Sequence, residues 1–212
     1  MLHRMSVRLS IFISLLAAPL AFAPASAAVM PGAPVLPEAG ANPLAGKDDE
    51  SSRAVMLDTL FNELARARSP QESKAIEGAI FSIWMQSGSP SVDILMSHGL
   101  DAFAMKDYDR ALFYFNEVVA LRPGFVEGWD KRAAIFYLKD KYAEALKDLE
   151  HVLQLEPRHF SAMGGLAVIL NELGDKRGAL DVYRRALKLN PYLDGAAQAE
   201  KSLSIDVEGR GI

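Results

Sequence analysis

Thirty-four residues separate Pro123 from Pro157 and Pro157 from Pro191, and the same interval links Ala111, Ala145 and Ala179, then Leu112, Leu146 and Leu180, then Leu121, Leu155 and Leu189. A period held by four series in one register restricts the chain to stacked copies of one supersecondary unit. Phe115, Leu149 and Tyr183 keep a large apolar group at a fifth position, and Val118, Val152 and Ala186 a smaller one at a sixth. Ala111, Phe115 and Val118 are spaced i, i+4, i+7, so they share one face of a helix. The small residue admits a neighbouring helix, and the large one fills the gap beside it. Proline then ends each copy, because it has no N–H to donate and disfavours helix in the residue before it. The polar pairs Lys106-Asp107, Asp140-Lys141 and Gly174-Asp175 mark the turn between the two helices of each unit.

Period and residue choice together resemble the tetratricopeptide repeat family, whose pattern runs W-x2-L-G-x2-Y, then A-x3-F and a closing P. The first unit supplies Gly99, Ala111, Phe115 and Pro123; the second Trp129, Phe136, Ala145 and Pro157; the third Leu166, Ala179, Tyr183, Ala186 and Pro191. His98 and Arg132 stand where the pattern prefers leucine, and Lys176 where the first two units have Tyr108 and Tyr142, all of them residues that still form helix. The resemblance implies an all-α fold, a right-handed superhelix of three repeats over 91–193, at about 92–125, 126–159 and 160–193. The phrases Ser-Gly-Ser-Pro at 87–90, Glu-Gly-Trp at 127–129 and Glu-Pro-Arg-His-Phe at 156–160 further resemble exported members of that family from alphaproteobacteria, which implies a periplasmic, envelope-associated protein.

The flanks are also expected to be helical. Ser69-Pro70-Gln71-Glu72 has capping-box spacing with proline at the first helical position, and Ala75, Ile76, Ala79, Ile80, Ile83 and Trp84 continue it as an apolar stripe. With Met56, Leu57, Leu60, Phe61 and Leu64 upstream, this predicts an N-terminal hairpin over 53–90 that looks like a degenerate repeat. The more polar stretch 194–212 is expected to form a C-terminal capping helix and tail, since an end repeat needs one wet face.

Residues 1–27 have the layout of a secretory signal peptide: Arg4 and Arg8, an apolar run from Leu9 to Ala23 broken by Pro19, and small residues around a cleavage point after Ala27 or Ala28. Its removal takes two of the 23 basic residues and none of the 27 acids, so the formal charge goes from −4 to −6. A stretch at 28–52 rich in proline and glycine, without apolar periodicity, is expected to be a disordered tether. The chain has no cysteine, which removes disulfides, thiolate metal sites and lipoprotein processing at a stroke.

No catalytic constellation is visible. His98, His151 and His159 match no metal-ligand spacing, and there is no nucleophile elbow or phosphate-cradling glycine loop. Neither a metal nor a cofactor is expected. The acidic balance excludes nucleic acid as a natural partner, and no stable membrane insertion is expected.

What the family resemblance does imply is a binding groove lined by the first helix of each unit. The matching positions that could anchor a partner are Phe103, Glu127, Asp130, Tyr137, Asn171 and Glu172, with Arg158 and His159 at the junction of the second and third units. The lysines and asparagines with which some members grip a terminal carboxylate are replaced here by acids and small apolar residues, so that clamp is not expected. Phe103 and Tyr137 either anchor a segment of an envelope protein or fill the groove, for instance against the chain's own C-terminal helix. The functional expectation is a periplasmic adaptor or scaffold binding an envelope protein or peptide segment; the alternative is a self-assembling protein, a homo-oligomer whose repeats stack between copies.

Overall fold

The computed structural model describes residues 45–209, with side chains from Glu50 onward. Among these the chain forms nine α-helices and no strand. They are α1 (Ala45–Leu64), α2 (Pro70–Trp84), α3 (Pro90–Ala104), α4 (Tyr108–Leu121), α5 (Val126–Leu138), α6 (Tyr142–Leu155), α7 (Phe160–Glu172), α8 (Lys176–Leu189) and α9 (Ala196–Glu208). The pairs α3/α4, α5/α6 and α7/α8 are the three units; each second helix packs on the first helix of the next unit, and α9 packs on α8. The expected signal peptide, most of the expected tether and the last three residues lie outside the described residues.

The repeat is visible in the backbone as well as in the side chains. Lys106, Asp140 and Gly174, 34 residues apart, all have positive φ, at 59°, 57° and 91°. At each, the N–H of the following residue reaches back to close the helix: Asp107 to the Ala102 carbonyl at 2.9 Å, Lys141 to Phe136 at 2.8 Å and Asp175 to Leu170 at 2.9 Å. This is the left-handed cap that satisfies the last carbonyls of a helix. Only the third unit uses glycine there; the lysine and aspartate bear the steric cost of that conformation. Asp107 and Asp175 then start the second helices by accepting from the N–H groups of Arg110 (3.1 Å) and Gly178 (2.9 Å).

Between the helices of a unit the contact is mainly apolar; the second unit adds one ion pair, Arg132 of α5 on the buried Asp148 of α6 at 2.7 Å. Ala111, Phe115 and Val118, with their equivalents Ala145, Leu149 and Val152 and Ala179, Tyr183 and Ala186, are all buried. Close approach depends on glycine at two places: a Cβ on Gly99 would stand 2.5 Å from the Phe115 ring, and one on Gly128 would stand 2.6 Å from Val118. The first clash is within a unit and the second is between units.

The N-terminal hairpin does not extend this stack. Helix α2 packs only slightly on α3, its neighbour in sequence. Instead Phe61, Leu64, Ile80 and Trp84 close around Phe160 at the start of α7, together with Leu189 and Leu193. The hairpin therefore lies across the first-helix face at the junction of the second and third units, and it, rather than the C-terminal helix, covers that face. As a result no described helix covers the outer side of the first unit. Ile94 is 59% exposed there, whereas its equivalents Gly128 and Ala162 are buried.

Helix boundaries at the N-terminus also differ from expectation. The helix starts at Ala45, so residues 45–52 of the expected tether are helical. Glu50, Ser51 and Ser52 are exposed, and a helix that buries nothing there leaves no apolar period to read. It extends a helix held by Phe61 and Leu64, since propagation is far easier than nucleation. Ser69 caps α2 by accepting from the Glu72 N–H at 3.1 Å, while the Glu72 carboxylate reaches back to the Arg68 N–H at 2.8 Å, one residue beyond a standard capping box.

Candidate functional site

The anchor residues expected from the groove fall into separate groups. Glu127, Asp130 and His159 come together with Lys131 and Ser161 beneath the hairpin, all of them buried. Tyr137 and Glu172 meet at the far end of the same face. Phe103 is half-buried against Tyr108, with ring centroids 5.9 Å apart, and Asn171 is exposed.

The junction group is built by two helix starts. His159 is the N-cap of α7: its Nδ1 accepts the Ala162 N–H at 3.2 Å, which leaves the ring proton on Nε2, 3.0 Å from Glu127 Oε1. One turn along α5, the Lys131 ammonium lies 2.9 Å from Asp130 Oδ2 and 2.8 Å from Glu127 Oε2, the latter a charge contact without hydrogen-bond alignment. Burial alone would push the Glu127 carboxyl up, but the Lys131 charge and the His159 hydrogen bond outweigh it and hold the group down at about 2. Burial likewise opposes the Lys131 charge, and the two carboxylates more than restore it.

Helix α2 roofs this group. The Trp84 indole stacks on the His159 ring at 4.2 Å and 8°, and the Phe81 ring lies 5.8 Å from the Lys131 ammonium. Farther along, Ser73 donates to Asn190 Oδ1 at 2.9 Å, Asn190 donates to Glu77 Oε1 at 2.6 Å, and Lys74 reaches Asp194 at 3.1 Å. On the other flank Arg158 sits 4.4 Å above the Phe61 ring and pairs with Asp58 of α1 and Glu156 of its own loop. Among the described residues three buried side-chain atoms have no hydrogen-bond partner: Trp84 Nε1, Asp130 Oδ1 and Glu127 Oε2, the last of these in charge contact with Lys131.

At the other end Tyr137, only 6% exposed, donates to Glu172 Oε1 at 3.0 Å while Tyr142 donates to Oε2 at 2.8 Å. One carboxylate thus joins the second and third units through two phenols, and the Tyr142 hydroxyl is pushed up to about 12 chiefly by that bond.

Neither group has the chemistry of an active site. Glu127, His159 and Ser161 are connected like an acyl-transfer triad, with Ser161 Oγ 3.2 Å from His159 Nδ1. That nitrogen already accepts a backbone N–H, and Trp84 lies flat on the ring, so nothing is poised to take the serine proton from an arriving substrate. The ligand atoms of Glu127, Asp130 and His159 all lie within 4.8 Å of one another, a spacing suited to a metal ion. The Lys131 ammonium stands where the cation would go, and a divalent ion beside it would be repelled.

Lys131, Phe81, Trp84, Ser73 and Asn190 were not singled out as site residues from sequence. Lys131 had a legible signal, four residues after Glu127 on one helix face. Ser73 and Asn190, 117 residues apart, had none.

A family model described as tetratricopeptide repeat matches residues 137–194. A TPR repeat-containing protein of Rhizobium etli is 34% identical over 157 residues, which cover 74% of this chain and 76% of that protein. Among solved structures, the Sgt2 TPR domain from Aspergillus fumigatus superposes with a TM-score of 0.54 at 23% identity, covering 58% of this chain and 84% of that one. The first TPR of Spaghetti (RPAP3), bound to the HSP90 peptide SRMEEVD, superposes with a TM-score of 0.53 at 20% identity, covering 55% and 93%. The 34-residue period recurs in the left-handed turns, the caps and the buried positions, and the Rhizobium etli protein is related over most of its length: the chain belongs to the tetratricopeptide repeat family.

Proposed function

We propose that this protein is a periplasmic interaction module, an adaptor or scaffold that holds a segment of an envelope protein on the first-helix face of its repeats. The observation that carries the reading is that this face already seats a helical hairpin through aromatic, arginine and hydrogen-bonded contacts, the kinds of group that dominate protein interfaces. The likeness to a repeat domain solved with a bound peptide supports binding of a partner segment. The Rhizobium etli relative agrees with the alphaproteobacterial resemblance, and the signal-like segment at 1–27 supports export. No described helix is long and apolar enough to cross a membrane. No catalytic step is assigned.

The test is photo-crosslinking in the native envelope from position 171, which is exposed on α7, with Lys147 on α6 as control. Capture of one heterologous protein from 171 alone is expected; capture of nothing beyond the control overturns the reading. A second reading, self-assembly, is favoured by the outer side of the first unit, where Ile94 is exposed among the described residues. Capture of a second copy of the chain would decide for it.

A further inference from the structure

The interface under the hairpin holds most of the buried ionisable side chains among the described residues. Five ionisable side chains, Glu77, Glu127, Asp130, Lys131 and His159, are buried in it. Ion groups taken out of water return little net stability compared with well-packed apolar residues, so a permanently closed interior gains nothing from them. They suit a surface that spends part of its time in water. The fit above them is also incomplete. Trp84 Nε1 and Asp130 Oδ1 are unbonded, and a cavity of about 20 Å³ remains between Lys74, Glu77 and Phe81 on one side and Ser161, Gly164 and Leu193 on the other.

Helix α2 shows what that surface accepts. It lays a single stripe into the seat, Ser73, Glu77, Ile80 and Trp84, at i, i+4, i+7 and i+11, with Phe81 beside it. The two aromatics, three residues apart, cover His159 and Lys131 respectively. Past Trp84 the chain turns at Gly88, φ 73°, and the link at 85–89 is held to the first unit by Met85 on its core and by the Ser87 hydroxyl at Asp93, contacts that a lifting hairpin must give up.

We infer that α2 is a resident, displaceable occupant of the partner seat, and that the partner is an amphipathic helix presenting an aromatic pair three residues apart in place of Phe81 and Trp84. This rests on the interaction-module reading and adds to it the form of the partner and the step that admits it: the hairpin lifts about residues 85–89, and the incoming helix lies along α5 and the start of α7. Because the seat is closed in the resting chain, apparent affinity is the intrinsic affinity reduced by the fraction of molecules with the hairpin lifted.

The absence of cysteine makes the test clean. Ser73→Cys with Asn190→Cys, at side chains whose polar atoms lie 2.9 Å apart, closes the hairpin by a disulfide that can be reduced again. The probe is a fluorescein-labelled peptide of this chain's residues 70–87, read by anisotropy against the full-length protein. Weakening the resident helix by Trp84→Ala in the protein is expected to tighten probe binding by about tenfold or more over the native chain. The oxidised double variant should not bind, its reduced form should, and a probe carrying Trp84→Ala should bind none of them. Equal binding to locked and unlocked protein overturns the inference, and so does absence of binding to the reduced double variant when its circular dichroism remains helical. A dimer in light scattering of the native chain would also overturn it, assigning the seat to a hairpin exchanged between copies. Crosslinking from position 171 on the locked protein separates the two levels: a partner captured with the hairpin locked leaves the interaction module standing and removes the displaceable occupant.

Discussion

The interior of the three units and the seam beneath the hairpin are both buried, yet they differ in make-up: the seam adds to its apolar cluster around Phe160 most of the buried charge. Inside the units the positions of Ala111, Phe115 and Val118 and their equivalents are apolar, one ion pair at Arg132–Asp148 apart, and shape decides the fit, down to glycines whose missing Cβ makes room for Phe115 and Val118. At the seam, aromatic rings lie over a lysine, a histidine and two carboxylates, and hydrogen bonds link residues more than a hundred positions apart. Apolar packing has no alternative partner in water and is permanent, whereas charges and amides regain most of their partners when water enters. On the inference above, the array is the fixed part and the seam the contact that opens.

The largest effect should come from the array. Phe115→Ala empties a fully buried site between α3 and α4 and is expected to cost about 3–5 kcal/mol in urea unfolding followed by far-ultraviolet circular dichroism. A cost near that of a surface substitution would break the contrast. Lys131→Ala removes the counter-charge of two buried carboxylates, a change worth about 3–5 kcal/mol where the site must stay closed. Here the hairpin can lift instead, so the expected outcome is a red-shifted Trp84 emission, read in a Trp129→Phe background, with the helical signal of the repeats retained. Loss of both signals in one transition would contradict a separable seam.

Acid offers a graded version of that experiment. Glu127 is held at about 2 in the folded state against an ordinary 4.5, so its contribution is fully present above pH 4.5 and is lost as the pH falls toward 2. Trp84 emission should therefore hold steady down to about pH 4.5 and shift below it; a shift complete above pH 5 would assign the seam to another group. Arg158→Ala removes an ion pair to Asp58 and a stack on Phe61, both partly solvated, and should weaken hairpin docking by only about 1 kcal/mol. Smallest of all, Phe113→Ser, at a side chain 59% exposed, should leave stability within about 0.5 kcal/mol while improving solubility.

Much of the fold could be read without coordinates because the interactions that make it recur every 34 residues. The turns at 106, 140 and 174, the prolines that end each unit and the alternation of Ala111 with Phe115 all report local geometry. The site was legible only in part. Glu127, Asp130 and His159 stood out as groove positions, but the groove they were assigned to is covered by α2. Tyr137 and Glu172, one unit and one residue apart, were both named, though not as partners of each other. The stripe Ile76, Ile80, Ile83 and Trp84 shows that α2 buries one face, and periodicity carries no information about what that face meets. Phe160, the ring it closes around, reads from sequence as any other helix-starting apolar residue.

The sequence by itself determined the units, their number, their turns and the faces along which their helices pack, since each of these follows from contacts a few residues apart repeated at a constant period. Only the tertiary structure decided where the N-terminal hairpin rests, and with it which groove residues face water and which are roofed by Trp84 and Phe81. That docking joins Ser73 to Asn190 and Asp58 to Arg158 across 117 and 100 residues. It depends on the fit of two finished surfaces, and no local pattern of residues records such a fit.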